Sequence, residues 1–238
     1  MEPATLCAPP IPGLFFTPSI LVPPELADQV TQFCLHTYFG RPGVNQIMLF
    51  GEDAMPPVLL SLLSTVSALL APPVLVPSIH ALLFPLPGTA TRERQAILNL
   101  YHPGEGITPH VDLLGRFGDG IVGVSFGSSC VMRFAPACVG EDTEDCVPAQ
   151  LFLPARSIIV LSGDARYAWT HGIDKRTTDL VADADVDEPW VVERGVRLSI
   201  TFRWLLPGAD VVGEDEDGED GAKRPPLTVS TKIAQTFT

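Results

Sequence analysis

Two apolar periods run along this chain, and the switch between them falls near residue 97. Before it the spacing is helical. Pro23-Pro24-Glu25 opens a segment in which Leu26, Val30 and Phe33 recur at helical intervals, proline being tolerated in a first turn, so a helix over 24–38 is predicted. Between Pro56-Pro57 and Pro72-Pro73, Leu59, Leu62, Leu63, Val66, Leu69 and Leu70 fall on one stripe while Ser61, Ser64 and Thr65 lie opposite. That is the pattern of a helix packed on one side, here as support for a sheet. The run Val58–Ala71 is shorter than the ~20 apolar residues a membrane span needs, so no membrane contact is expected. With 15 of the 24 prolines, residues 1–96 read as helices and loops rather than a regular sheet.

From residue 97 short β-rich runs follow at Ile97–Tyr101, Ile121–Phe126, Val131–Phe134, Gln150–Leu153, Ser157–Leu161, Ala168–Ile173 and Val196–Leu205, each bounded by Gly, Pro or Asp turns. The spacing predicts a sandwich or barrel, so the fold class is mainly β with flanking helices. Residues 196–203 alternate: Arg197, Ser199, Thr201 and Arg203 share one face, and Val196, Leu198, Ile200 and Phe202 the other. Two arginines therefore point to the same surface. After Pro207 an acidic run and a Thr/Ser-rich end carry no apolar period. The expected division is a helical extension over 1–96 that packs on the core, a β domain over 97–207 and a disordered acidic tail over 208–238.

Composition narrows the class. Hydrophobic residues at 46% against 18% charged are enough to close a core, which excludes wholesale disorder despite 24 prolines and 20 glycines. Five cysteines, at 7, 34, 130, 138 and 146, form no CxxC pair and fit reduced thiols, not a disulfide framework or a zinc knuckle. Met1-Glu2-Pro3 carries no basic stretch ahead of an apolar one, so no secretory signal is expected and the location read is cytoplasmic or nuclear. The net charge is −13; seven acids and three bases lie after residue 206, and the preceding body keeps −9 with the single lysine Lys175. Coating of nucleic acid by phosphate neutralisation is excluded on that balance, though a local basic patch is not.

The candidate chemistry begins at Asn99-Leu100-Tyr101-His102-Pro103-Gly104 and runs into His110-Val111-Asp112. Residues i and i+2 of a strand share a face, so His110 and Asp112 can offer a nitrogen and an oxygen to one metal. Alone, a His-x-Asp pair means little. His171 arrives 59 residues after Asp112, and Arg197 another 26 later inside a β-rich run. Two histidines and one carboxylate form the facial triad of non-haem Fe(II) oxygenases, and an arginine fork can anchor an acidic cosubstrate. His36, His80 and His102 read as structural, Cys130 as a small apolar residue, and Cys138 and Cys146 as non-ligating.

With these residues in view, the sequence resembles the AlkB family of Fe(II)/2-oxoglutarate dioxygenases. The resemblance rests on Asn99-x-Tyr101, Pro103-Gly104, His110-x-Asp112, Ser125-x-Gly127, His171-Gly172 and the pair Arg197 and Arg203, with a fainter echo at Met48-Leu49-Phe50-Gly51, where the family has a strand-bearing substrate lid. The run Gly163-Asp164-Ala165-Arg166-Tyr167-x-Trp169-Thr170-His171-Gly172-Ile173 is most similar to the eukaryotic hydroxylases of modified wobble uridine in tRNA. The resemblance implies a double-stranded β-helix, or jelly roll, with Fe(II) held by His110, Asp112 and His171 in its mouth. It implies 2-oxoglutarate and O₂ as cosubstrates, the former met by Arg197 at its distal carboxylate, by Arg203 on the C1-carboxylate side and by Asn99 and Tyr101. Ser199 stands where the bacterial repair enzyme has an asparagine. The implied reaction is oxidative decarboxylation of 2-oxoglutarate with hydroxylation of a substrate C–H, which on an N-methyl group sheds formaldehyde.

The substrate implied is a modified or alkylated nucleobase in RNA or DNA, tRNA foremost. Arg92 and Arg94 are candidate phosphate contacts, and Trp169 or Phe50 a stacking partner, against a plain reading of surface charge and core. The acidic, lysine-poor body favours a second class, a dioxygenase of a protein or small molecule. A third is a non-catalytic jelly-roll module whose acidic tail recruits a protein partner.

Overall fold

The computed structural model describes residues 2–86, 88–90, 92–137, 147–183 and 188–209. Cys138, Cys146 and the acidic run from residue 210 onward lie outside the described residues. The chain begins with β1 (Ala4–Thr5), β2 (Leu14–Leu21), α1 (Pro24–Thr37), β3 (Gln46–Phe50), α2 (Pro57–Leu69) and α3 (Pro77–Leu83). It continues through β4 (Arg94–Tyr101), β5 (Ile107–His110), β6 (Ile121–Gly127), β7 (Cys130–Pro136), β8 (Ala149–Leu153) and β9 (Ser157–Leu161). The last elements are α4 (Gly163–Tyr167), β10 (Trp169–Ile173), β11 (Thr178–Ala182), β12 (Trp190–Glu193) and β13 (Arg197–Trp204). Among the described residues no helix is long and apolar enough to cross a membrane.

Two sheets face each other. One has the order β12-β11-β1-β8-β7-β10-β5 and the other β2-β9-β6-β13-β4-β3. From β6 to β10 the chain passes back and forth between them, and every pairing outside β1 is antiparallel. This is the jelly-roll architecture expected from the spacing of the β-rich runs. The seven predicted runs all appear as strands, displaced by at most three residues at an end.

The smaller sheet is buried on both faces. On its outer face, Ala96, Leu98 and Leu100 of β4, Val122, Val124 and Phe126 of β6, and Leu198, Ile200 and Phe202 of β13 form one cluster with Val30 and Cys34 of α1 and Leu59, Leu62, Leu63 and Val66 of α2. The apolar stripe of the second predicted helix is thus the surface that covers the sheet. On the inner face, Phe16, Ile121, Ile159 and Leu161 meet Phe134, Leu151, Leu153, Trp169 and Ile173 from the facing sheet. The predicted alternation of β13 accordingly sends its leucine, isoleucine and phenylalanine to the helices and its arginines, serine and threonine to the space between the sheets.

Residues 1–96 depart from the helix-and-loop expectation. The helix over 24–38 is present as α1, yet β1, β2 and β3 join the two sheets from the same proline-rich stretch. β2 and β3 lie at the two edges of the smaller sheet, where a residue lacking an amide donor such as Pro18 breaks no ladder. Burial drives the whole arrangement. Leu62 is fully buried beneath the sheet while Leu60 on the same helix is exposed. Leu62→Ala should therefore cost about 2–5 kcal/mol in urea unfolding, and Leu60→Ala no more than about 0.5 kcal/mol.

Candidate metal centre

β5 and β10 pair antiparallel with His110 directly opposite His171. Their approach depends on glycine: a Cβ on Gly172 would stand 2.7 Å from the backbone nitrogen of Pro109 on β5. The two imidazoles lie with centroids 4.5 Å apart. Asp112 does not share a strand with His110, as the i, i+2 spacing suggested, because β5 ends at His110. It sits in the turn just beyond, with Oδ1 3.4 Å from His110 Nε2. One ligand atom from each of His110, Asp112 and His171 falls within 4.8 Å of the others, so the three could hold one metal ion. Two imidazole nitrogens and one carboxylate oxygen suit Fe(II) with coordination positions left open.

Each donor is prepared by its neighbours. His110 Nδ1 donates to the Thr108 carbonyl at 2.8 Å, which fixes the ring and leaves Nε2 for a metal. Burial alone would raise the Asp112 carboxyl, but the His110 hydrogen bond and the Arg203 charge outweigh it and hold the group well below the usual carboxylate range. Arg203 Nη1 donates to Asp112 Oδ2 at 3.0 Å, and its Nε to Gln95 Oε1 at 2.7 Å. The hydrogen bond to Asp112 raises the His110 pKa. Burial, with His110 beside it, pushes His171 down to about 4, so its imidazole is neutral and its lone pair is available.

A cleft of about 430 Å³, its solvent-filled mouth included, opens beside His171 between the sheets. Ser125, Arg197, Ser199 and Thr201 line it together with apolar residues such as Ile159 and Met132. Arg197 is 6% exposed, and its Nε donates to Ser125 Oγ at 2.7 Å. Among the described residues no carboxylate pairs with it. The register places Tyr101 opposite Arg197 and Asn99 opposite Ser199 on β4, so both lie on the cleft face of the sheet. The Tyr101 ring stands 5.5 Å from the Arg197 guanidinium, and the Asn99 Oδ1 accepts from Gln46 Nε2 at 2.8 Å. Of the residues singled out for metal and cosubstrate, His171, Arg197 and Ser199 line the cleft, Asn99 and Tyr101 lie on the same sheet face, and His110, Asp112 and Arg203 stand beside His171 as one hydrogen-bonded group.

The suggested nucleic-acid contacts fare unevenly. Arg94 is buried, donates to the Leu83 carbonyl at 2.6 Å and stacks 3.8 Å from the Trp204 ring, so it serves packing and not a phosphate. Trp169 belongs to the core between the sheets and offers no face to a base. Phe50 lies on the cleft face of β3, across from Gln95, and Arg92 is exposed. His80 is held by the Ser67 carbonyl at 3.0 Å, in keeping with a structural role.

The residue that sequence reasoning passed over is Arg166. It is 2% exposed and donates to four carbonyls around the metal-side turn: Nη1 to Asp112 at 2.9 Å, Nη2 to Phe117 at 2.9 Å and Leu113 at 3.4 Å, and Nε to Gly118 at 3.2 Å. Its one signal was its place in the run Gly163–Ile173 that carries the family resemblance, which assigned the arginine no role. Arg166→Met should lower the melting temperature and weaken Co(II) binding by about ten-fold or more, because the turn that carries Asp112 loses its support. An unchanged Co(II) titration in the folded variant would count against this role.

Comparison with known proteins agrees with the geometry. Residues 43–203 match the family model described as the 2OG-Fe(II) oxygenase superfamily. The tRNA (carboxymethyluridine(34)-5-O)-methyltransferase of Mus musculus is 35% identical over 152 residues, which are 59% of this chain and 22% of that protein. An N6-methyladenosine RNA demethylase of Cryphonectria parasitica is 33% identical over 112 residues, 44% of this chain and 49% of the relative. The match thus spans about a fifth of the mouse protein's length and half of the fungal one's. Among solved structures, a Pseudomonas putida prolyl-4-hydroxylase aligns over 81% of this chain and 92% of its own at 14% identity and a TM-score of 0.49. The family match covers every strand from β3 to β13 and all three metal-ligand candidates, and the chain belongs to the 2OG-Fe(II) oxygenase superfamily as an AlkB-like member.

Proposed function

We propose that this chain is a Fe(II)- and 2-oxoglutarate-dependent dioxygenase that hydroxylates or oxidatively demethylates a modified nucleobase in RNA, with tRNA as the first substrate to test. The observation that carries the cosubstrate half is Arg197. A buried guanidinium with a hydroxyl partner but no carboxylate is suited to receive an anion, and this one opens onto the cleft that also reaches His171. The carboxylate of a 2-oxo diacid answers it in a bidentate fork, which lysine reproduces poorly.

The chain's residues then divide the work. His110, Asp112 and His171 hold the metal through neutral nitrogens and an anionic oxygen. Arg203 keeps Asp112 ionised and in place. Ser125 orients Arg197, and Ser199 with Asn99 and Tyr101 completes the polar wall against which the diacid lies. Asp112 is buried and His171 half-buried, which limits the access of bulk water to the coordinating side. The bound iron supplies the oxidation: 2-oxoglutarate and O₂ yield succinate and CO₂, and the second oxygen atom enters a substrate C–H bond.

The RNA half of the proposal draws on the relatives named for action on tRNA and on N6-methyladenosine in RNA. An intracellular site, cytoplasmic or nuclear, accompanies that substrate. The acidic body with its one lysine favours the competing class, oxidation of a protein or small molecule.

Succinate formation from 2-oxoglutarate by purified protein with Fe(II) and ascorbate, with and without total tRNA, separates these readings. Stimulation by tRNA that is lost in Asp112→Ala and His171→Ala is the expected outcome. Turnover that tRNA leaves unaffected would keep the iron chemistry and move the substrate to proteins or metabolites. In the same assay Arg197→Lys should raise the KM for 2-oxoglutarate by about ten-fold or more, as one arm of the fork is lost. An unchanged KM would remove Arg197 from the cosubstrate site.

A further inference from the structure

The turn that follows Asp112 is anchored from behind and displays, on its outer side, side chains that the fold leaves unused. Arg166 grips the carbonyls of residues 112, 113, 117 and 118 from within. Further backbone bonds tie Gly118 to Trp204 at 2.9 Å and Leu206 to Arg116 at 2.9 Å. The segment is therefore preorganised. Outward from it, directly after the metal-ligand candidate, Leu113 is 63% and Leu114 57% exposed.

Arg116 completes the display. Its guanidinium stands 6.0 Å from the rings of Phe50, on the cleft face of β3, and of Phe117. Its Nε is buried without a hydrogen-bond partner, and among the described residues no carboxylate pairs with it. Acids are abundant in a chain of net charge −13, so scarcity does not account for the missing partner. Arg92 adds a second cation on the same rim, its Nη1 lying 2.6 Å from where a Cβ on Gly118 would stand.

A fixed cation flanked by two apolar side chains at the mouth of an oxidising cleft fits a nucleotide strand. Phosphate supplies the anion and a base supplies a flat apolar face, whereas an isolated small metabolite has no use for either outside the cleft. We propose that the 113–116 turn grips single-stranded nucleic acid beside the nucleotide whose base enters the cleft, with Arg116 on a phosphate and Leu113 and Leu114 against a neighbouring base. This rests on the RNA reading above and adds the element that engages the strand. Leucine wedged at a base step also stabilises a base turned out of its stack, the form in which it can reach a metal between two sheets.

Fluorescence anisotropy of the whole chain with a labelled single-stranded oligoribonucleotide, over a series of salt concentrations, tests the assignment. Arg116→Ala should weaken binding about ten-fold and reduce the slope of log K against log salt by about 0.7, the share of one phosphate contact on a single strand. Arg116→Lys should keep the slope. Leu114→Ser should weaken binding equally at every salt concentration. A slope unchanged in folded Arg116→Ala, while the wild-type protein binds, overturns the assignment of Arg116 and leaves the RNA reading intact. A wild-type protein that binds no oligonucleotide at low salt removes the RNA reading, and the role of the turn with it.

Discussion

A strand buried on both faces must find a partner for every polar group it carries, and β13 is that strand. It lies inside the smaller sheet between β6 and β4, with helices on one side and the facing sheet on the other. Its period of two separates the demands. Leu198, Ile200 and Phe202 go to the helices, where burying an aliphatic or aromatic side chain contributes about 1.5–3 kcal/mol each. Arg197 and Arg203 go to the cleft, where burial of a lone charge would cost several kcal/mol. Because the helices hold the apolar face in register, the arginines cannot retreat to solvent, and the site is built around answering them. Asp112 answers Arg203, and in doing so stands fixed beside His110 and His171.

The part of this design that repeats locally was legible in the sequence. Alternation over 196–203 and the stripe from Leu59 to Leu70 each encode which face is covered, and the sheet and helix follow. The residue types at 110, 112 and 171 announced a candidate metal set, although the stated reason, a shared strand face for His110 and Asp112, was not the operative one. What assembles the set is the pairing of β5 with β10, which the sequence does not print. The same limit hid β1, β2 and β3. β2 pairs with β9, more than a hundred residues away, and the two-residue β1 is held in parallel between β8 and β11. Prolines that argue against a central strand are compatible with an edge, and only the assembled sheet reveals which strands are edges.

Arginine identity was the least legible feature, because its role is set by what it meets. Arg94 looked like a surface cation and is a packing residue over Trp204. Arg166, given no role of its own in the sequence reading, is the most deeply engaged of them, satisfied by four carbonyls. Arg194 is spoken for by both oxygens of buried Asp179. Arg166 and Arg194 have their desolvation offset by the protein itself, whereas Arg94 keeps its Nε without a partner and burial lowers its pKa to about 10; all three are engaged in the fold.

Arg197 differs in where it lies. Its burial is similar, but its Nε donates to the Ser125 hydroxyl on the wall of the cleft, and among the described residues no carboxylate forms an ion pair with it. A hydroxyl does not neutralise a guanidinium, so Arg197 presents a positive charge at one defined point on the wall of the cleft. A dianion that meets that charge would bind only the folded state. Binding and stability are then linked, with the liganded protein more stable by RT ln(1 + [L]/Kd), about 2.7 kcal/mol at a hundred-fold excess over Kd. Arg197 and His171 line the same cleft, so a carboxylate ligand held at Arg197 under the proposed cosubstrate role would have its other end on the side of the candidate metal ligands.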